Sequence, residues 1–188
     1  MFRTRILVVF VTILLTLSLN SWSHGGKLNP SQCHNYSKEK EYHCHKTPTK
    51  NQQPLKYSRA NWQFRSSDSQ ASSSLLGWYT DTYSSATDVD HVVALHDAYN
   101  SGGHEWNTDE KKAFANDPLN HVTAIPYVNR VLKNSYSPLK FIFNISGSSY
   151  AFAPGRCLEY VHLYTRIKRR YALDFKNNRI NEAIEACN

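Results

Sequence analysis

The sequence predicts a small α+β fold, and three observations indicate it. Residues 88–95 and 120–125 are two short apolar, β-branched stretches with the composition of strands. Pro126 follows the second stretch and suits the first position of a helix, which is expected to run to Lys133. Residues 160–171 repeat apolar side chains at helical spacing. The length of 188 residues fits one compact domain with an appendage.

The composition narrows the class of protein further. Hydrophobic residues make up 40% of the chain and aromatic residues 13%, which excludes collagen-like, coiled-coil and wholly disordered proteins.

Two further segments have recognisable local patterns. Thr108 followed by two acids predicts a helix from Thr108 to Ala115. Residues 57–87 combine serines with aromatic side chains that are expected to anchor irregular turns on the core. These side chains are Tyr57, Trp62, Phe64, Trp78, Tyr79 and Tyr83.

The first 23 residues have the pattern of a cleaved secretory signal peptide. A cationic start precedes the apolar run 6–19, and Ser21 and Ser23 offer small residues at a cleavage site. The alternative is an uncleaved membrane anchor, but this 14-residue run is short against the ~20 residues that span a bilayer. We therefore expect a monomeric mature chain that starts at His24, is exported to the periplasm or the medium, and has no stable membrane association.

Residues 24–56 are expected to form a Cys/His-rich loop segment and linker, separate from a domain over residues 57–188. Few aliphatic side chains occur in this segment, and residues 48–54 have linker composition. In an oxidising compartment a disulfide between Cys33 and Cys44 is favoured. The alternative is a Zn²⁺ site, because thiolate and imidazole ligands occur together here. The histidines that would join such a site are His34, His43 and His45.

The C-terminal segment predicts a helical hairpin closed by a disulfide. Antiparallel helices would place Cys157 and Cys187 at the same end, and a bond that closes this loop contributes about 3 kcal/mol. The polar face of the first helix carries three arginines that could contact a nucleic-acid backbone, although a solvated helix face explains them equally well. They are Arg166, Arg169 and Arg170.

Charge is distributed unevenly along the chain. The net charge is +7, but residues 61–129 carry −6 and residues 130–179 carry +8. An acidic centre between basic flanks suits a metal site for a polyanion, because carboxylates hold the cation while Lys and Arg hold phosphates. Ordinary surface charge is an equally compatible explanation.

One group of polar residues falls on the predicted strand–loop–strand–helix unit. Asp90 and His91 lie in the first strand, Asn120 begins the second, and Asn129 lies in the helix. Carboxylate and amide oxygens suit Mg²⁺, and a neutral histidine can accept the proton of an attacking water. A buried structural pair of Asp90 and His91 is the alternative.

This run of residues resembles the HNH endonucleases of the His-Me finger, or ββα-metal, superfamily. Within it, the chain is most similar to small secreted members whose nuclease domain also occurs in GmrSD-type restriction enzymes. The resemblance extends beyond the central motif to Tyr57-Ser58-Arg59 and to residues 157–173. The matching central pieces are Asp88 to Leu95, Ala98-Tyr99, Ser101-Gly102, Trp106, Phe114 to Asp117, Asn120 and Asn129-Arg130.

The resemblance implies a ββα-metal core and a role for each central residue. Asp90 and Asn129 would bind one divalent cation, Mg²⁺ or Mn²⁺, and His91 would be the general base. Asn120 would orient the catalytic loop and His91 by hydrogen bonding. Asp88 would support the metal ligands.

The chain departs from the family at one position. The lysine that often follows the metal-binding asparagine by three residues is Leu132 here, and Lys133 comes next. Arg130 and Lys133 are the candidates for phosphate contacts close to the site. The N-terminal Tyr42-His43-Cys44-His45 separately resembles a short YHYH-like motif of exported bacterial proteins, which implies no function.

Together these observations predict an exported, metal-dependent endonuclease that hydrolyses phosphodiester bonds with little sequence preference. The expected substrate is DNA, with RNA as an alternative. Another class of protein is also compatible with the sequence, namely a non-catalytic metal- or nucleic-acid-binding module on a degenerate HNH frame.

Overall fold

The structure, a computed structural model, describes residues 56–188 and the backbone of two strands in the preceding segment. These strands, β1 (Cys33–Tyr36) and β2 (Glu41–Cys44), pair antiparallel with Cys33 opposite Cys44. The segment predicted to consist of loops therefore contains a β-hairpin.

Several predictions for the N-terminal part lie outside the described residues. The signal peptide over residues 1–23 and the linker over residues 48–54 are among them. The same holds for the side chains predicted to form a disulfide or a zinc site, which are those of Cys33, Cys44, His34, His43 and His45.

Irregular turns begin the described domain, as the aromatic residues predicted. Short 3₁₀ turns lead into a two-residue pair of strands, β3 (Leu76–Gly77) and β4 (Thr82–Tyr83). Trp62 and Tyr79 are fully buried and anchor these turns on the core. Tyr83 was predicted to do the same, but it is 79% exposed, so it is not an anchor.

The central unit is an antiparallel pair of strands followed by a helix. β5 (Asp88–His91) pairs with β6 (His121–Ala124), with His91 opposite His121. The chain then enters a helix at Pro126 that continues as a π-helix over Val128–Lys133. Because side chains alternate across a strand, Asp88 and Asp90 share one face of β5 and His91 lies on the other.

Within the described residues, five α-helices accompany this unit, so the predicted α+β class is confirmed. Buried side chains from α3, including Phe141 and Ile145, and from α4, including Tyr160 and Tyr164, form the core with the strands. The helices are α1 (Leu95–Asn100), α2 (Thr108–Ala115), α3 (Pro138–Ser146), α4 (Arg156–Arg170) and α5 (Ile180–Glu185).

The predicted bounds of α2 are confirmed, but its N-cap is Asn107 and not Thr108. The Asn107 side chain accepts hydrogen bonds from the backbone N–H groups of Asp109 and Glu110, and the Glu110 carboxylate accepts one from the Asn107 backbone. This capping box satisfies amides that the first turn of a helix leaves unpaired.

The C-terminal helices form the predicted hairpin. A disulfide joins Cys157, in the first turn of α4, to Cys187, just after α5, with a Cα–Cα distance of 5.5 Å. The prediction of this bond is confirmed, and it fixes the ends of the two helices together.

A buried polar network joins α4 to α1. The ammonium group of Lys168 donates to the Ser101 hydroxyl at 2.6 Å and lies 3.4 Å from a carboxylate oxygen of Asp97. Tyr164 donates its hydroxyl to the other Asp97 oxygen. Since Lys168 is fully buried, these partners compensate the cost of burying its charge.

None of the helices in the described part of the chain has the length and apolar character needed to cross a bilayer.

Candidate functional site

A cavity of about 620 Å³ opens where the end of β5 meets the π-helix. Its walls include five residues that the sequence singled out, and these are Asp88, Asp90, His91, Asn129 and Arg130. Two others, Asn120 and Lys133, are buried behind the wall. The structure therefore gathers the central motif around one open space.

The ring of His91 has a defined orientation. Its Nε2 lies 2.8 Å from the carbonyl oxygen of Ala115 at the end of α2. A carbonyl oxygen only accepts hydrogen bonds, so Nε2 carries the proton and Nδ1 carries the lone pair. Nδ1 has no partner among the described residues, and His91 is one of the residues that line the cavity. This arrangement suits a proton acceptor.

Burial controls the charge of His91. The side chain is 4% exposed, and desolvation lowers the pKa of His91 to about 3, with further lowering by electrostatic interactions with His121, Arg59 and Lys133. The hydrogen bond to Ala115 acts in the opposite direction. At neutral pH the imidazole is therefore uncharged and its lone pair is available.

Asn120 supports the loop that follows His91. Its side-chain oxygen accepts from the Val93 N–H at 2.8 Å, and its amide nitrogen donates to the Val93 carbonyl at 3.2 Å. The backbone carbonyl of Asn120 also accepts from the Val92 N–H. The side chain thus hydrogen-bonds to the loop after His91, whereas the His91 ring is held by the Ala115 carbonyl and not by Asn120.

Asp90 is a buried carboxylate with two donors. Tyr79 donates its hydroxyl to one oxygen at 2.7 Å, and the Lys133 ammonium lies 3.2 Å from the other. Burial raises the pKa of Asp90, while the charge of Lys133 and the hydrogen bond from Tyr79 oppose this. Lys133 also donates to the His91 carbonyl at 2.7 Å, so it ties the π-helix to the end of β5.

Asp88 is the carboxylate that contacts Asn129. The Asn129 amide nitrogen donates to it at 3.0 Å, and Arg130 binds both of its oxygens at 2.7 and 2.5 Å. The hydrogen bonds from Arg130 hold the pKa of Asp88 below its ordinary value. The oxygen of the Asn129 amide has no partner among the described residues and remains available as a ligand.

The predicted metal ligands, Asp90 and Asn129, line the same cavity, but their hydrogen bonds go to other residues, those of Asp90 to Tyr79 and Lys133 and that of Asn129 to Asp88. No group of three or more His, Cys, Asp or Glu side chains within the described residues is placed to hold a metal ion. The cavity instead offers carboxylate oxygens and one amide oxygen, and this donor type fits a hard cation such as Mg²⁺. A cation would compete with Lys133 at Asp90 and with Arg130 at Asp88.

The other histidines near the motif have different surroundings. His121 also directs Nε2 to the Ala115 carbonyl, at 2.9 Å, while its Nδ1 is buried without a hydrogen-bond partner. His96 is exposed and lies at the edge of the cavity.

The arginines of α4 are not part of the cavity lining. Arg166 and Arg169 are exposed on the helix surface, and the Nε atom of Arg170 lies 3.6 Å from a carboxylate oxygen of Asp117. None of these three side chains is therefore placed to bind a phosphate close to His91.

The sequence analysis did not assign a functional role to four groups that the structure places in the site. Tyr79 and the Ala115 carbonyl hold Asp90 and His91, and the Phe64 ring packs edge-on against His91 with centroids 4.5 Å apart. Arg59 lies in the cavity wall. The piece Tyr57-Ser58-Arg59, noted for its resemblance, was the one sequence feature that could have indicated Arg59.

No protein-family model, curated protein or solved structure matches this chain. The functional conclusions therefore depend on the residues of the cavity.

Proposed function

We propose that this chain is a metal-dependent nuclease with a ββα-metal core that hydrolyses phosphodiester bonds of DNA or RNA. The observation that carries the proposal is the orientation of His91, whose lone-pair nitrogen Nδ1 has no partner among the described residues and which lines the same cavity as Asp88, Asp90 and Asn129. The antiparallel pair of β5 and β6 followed directly by a helix supports the proposed core.

Three side chains of the cavity would hold the divalent cation. Asp90 and Asn129 are the ligands that the resemblance implies, and Asp88 lies within hydrogen-bonding distance of Asn129. When bound, Mg²⁺ or Mn²⁺ would neutralise negative charge that develops on the phosphate and on the leaving oxygen.

His91 would act as the general base. Hydrolysis joins a water oxygen to phosphorus and breaks the bond to the leaving 3′ oxygen. Nδ1 of His91 takes a proton from the attacking water, and the leaving oxygen takes one from solvent. A bound phosphate backbone brings negative charge near the ring, which raises the pKa of His91 from about 3 towards the range where proton transfer is efficient.

Positioning would come from the side chains around the reacting group. Lys133 clamps the end of β5, Asn120 fixes the following loop, and Ala115 holds the imidazole. Fixed geometry of this kind lowers the entropic cost of bringing water, base and phosphate together.

Cleavage of supercoiled plasmid by the purified chain tests this proposal. We expect cutting with Mg²⁺ or Mn²⁺, none with EDTA, and at least about 100-fold slower cutting by His91→Ala. His162→Ala, at an exposed position on α4, is the matched control and should cut at the wild-type rate. A folded wild-type protein that does not cut RNA or DNA with any of Mg²⁺, Mn²⁺ and Zn²⁺ would contradict the proposal.

A second candidate is a nucleic-acid-binding module that does not cut. The observation that favours it is that both carboxylates of the cavity already have a basic partner, Lys133 for Asp90 and Arg130 for Asp88. Binding of an oligonucleotide without cleavage under any metal condition would favour this candidate.

We also propose that the protein acts outside the cytoplasm. The disulfide between Cys157 and Cys187 supports this, because such bonds persist in oxidising compartments. Expression of the full chain followed by N-terminal sequencing of the periplasmic and extracellular protein tests it, with His24 as the expected first residue.

A further inference from the structure

Within the described part of the chain, one arginine of the cavity, Arg59, has no acidic partner. Asp88 is paired with Arg130, and Asp90 is paired with Lys133. Arg59 also lines the cavity, and among the described residues no carboxylate lies within ion-pair distance of it. The Tyr57 hydroxyl is a hydrogen-bonding neighbour of this guanidinium, but a neutral hydroxyl does not compensate its charge, so Arg59 can bind an anion beside the site for hydrolysis.

The position of Arg59 is fixed by the fold although its side chain is exposed. Arg59 begins a 3₁₀ turn that ends at Trp62, and Trp62 is buried against the rings of Trp106 and Phe114. Farther along, the Arg65 N–H donates to the Asn116 side chain at 3.0 Å. These anchors hold the segment against α2 and direct it along the rim of the cavity.

The guanidinium lies close to the proposed general base. Its central carbon is 5.7 Å from the centre of the Phe64 ring, which is itself 4.5 Å from the His91 ring. The distance from the guanidinium to His91 is therefore about 10 Å at most. Each nucleotide of one strand rises about 3.4 Å along the axis of a DNA duplex, so this distance corresponds to three nucleotides or fewer.

The shape and charge of the guanidinium group favour a phosphate as its ligand. Arginine presents a planar fork of N–H donors that matches two oxygens of a phosphate, and this bidentate geometry distinguishes it from lysine. Of the basic side chains near His91, Lys133 is buried and occupied by Asp90, so it is not available to a substrate.

We propose that Arg59 binds a backbone phosphate of the nucleic acid, within three nucleotides of the bond that is cut. This inference rests on the proposed nuclease function and adds the residue that positions the substrate. Arg59 contacts the phosphate on the rim of the cavity, while His91 faces the reacting water within it.

Binding of a fluorescein-labelled single-stranded 20-nucleotide DNA, measured by anisotropy in EDTA, tests this without cleavage. We expect Arg59→Gln to weaken binding about tenfold or more, since one charge-assisted contact is lost. The slope of log affinity against log salt should fall by about 0.7, the value for one phosphate contact on a single strand. Arg59→Lys should fall between the two, because it keeps the charge and loses the fork.

Arg65→Gln is the matched control, because Arg65 is exposed, lies six residues away and is not part of the cavity lining. Its binding should be close to that of the wild type, and both variants should melt at the wild-type temperature. Equal weakening by Arg59→Gln and Arg65→Gln, or by neither, would overturn the proposal.

Two further outcomes separate this inference from the proposed function. If the wild-type protein binds no oligonucleotide, the nucleic-acid substrate itself is wrong. If inorganic phosphate binds to the wild type but not to Arg59→Gln, while oligonucleotide binding is unchanged by the substitution, Arg59 binds free phosphate and the proposal fails.

Discussion

The ammonium group of Lys133 lies 3.2 Å from a carboxylate oxygen of Asp90, and both side chains are buried. The pair joins the last turn of the π-helix to β5, so it sets the position of the helix that carries Asn129. Tyr79 satisfies the second oxygen of the carboxylate. This arrangement links the stability of the fold directly to the geometry of the candidate site.

Removing one member of this pair should be strongly destabilising. A buried charge left without its partner costs about 3–5 kcal/mol, so Lys133→Met should lower the free energy of unfolding by this amount in urea denaturation. The double variant Asp90→Asn/Lys133→Met should recover much of the loss. Lys112→Met, at an exposed position on α2, should change stability by less than about 0.5 kcal/mol. A loss below about 1 kcal/mol for Lys133→Met would show that the pair contributes little.

The buried ring of His91 should make the protein sensitive to acid. The pKa of His91 is about 3 in the folded state and about 6.5 in the unfolded chain. Below pH 6.5 the unfolded state binds the proton and the folded state does not, so stability is complete above this pH and falls as the pH drops towards 3. The expected slope approaches about 1.4 kcal/mol per pH unit.

Urea unfolding at a series of pH values between 6.5 and 5 measures this slope. This range lies above the pH at which most carboxylates titrate. His91→Gln removes the titrating ring and keeps a donor for the Ala115 carbonyl, so its slope should be flatter than that of the wild type. His162→Gln should retain the wild-type slope. Parallel curves for wild type and His91→Gln would contradict the prediction.

Arg130 should compete with a divalent cation for Asp88. The guanidinium binds both carboxylate oxygens, but its side chain is 68% exposed and can leave without unpacking the core. We therefore expect Arg130→Gln to bind Mn²⁺ several-fold more tightly than the wild type, and Asp88→Asn to bind it more weakly. Titration calorimetry without nucleic acid measures both. Arg166→Gln is the control for a general change in charge, and equal affinities for the two arginine variants would exclude the competition.

Much of the fold follows from local features of the sequence. The bounds of α2 were predictable because Thr108 followed by two acids marks a helix start and Asp117-Pro118 ends the helix, although the cap itself is Asn107. The disulfide of the C-terminal hairpin followed from the positions of two cysteines on predicted helices. The helix α3 was missed, although Ser137-Pro138 is a recognisable helix start.

The site was less predictable because its key contacts join distant parts of the chain. The π-helical geometry of residues 128–133 and the pairing of Lys133 with Asp90 depend on packing against β5. The partner of His91 is a backbone carbonyl, which carries no mark in the residue type of Ala115. The sequence motif thus indicated which side chains lie together in the site. The ion-pair and hydrogen-bond partners of those side chains depend on the tertiary structure.

The disulfide between Cys157 and Cys187 also determines what happens when the backbone is cut. The two cysteines are 30 residues apart and enclose α4, α5 and the connection between them, in which Lys176 and Asn177 are exposed while Leu173 and Asn178 are buried. A protease that cuts this connection would leave both fragments covalently joined, and the buried contacts of Tyr160, Tyr164 and Ala183 would stay in place. Nicked molecules would keep their mass under non-reducing conditions and separate into two pieces only after reduction, so a domain cut here would remain assembled.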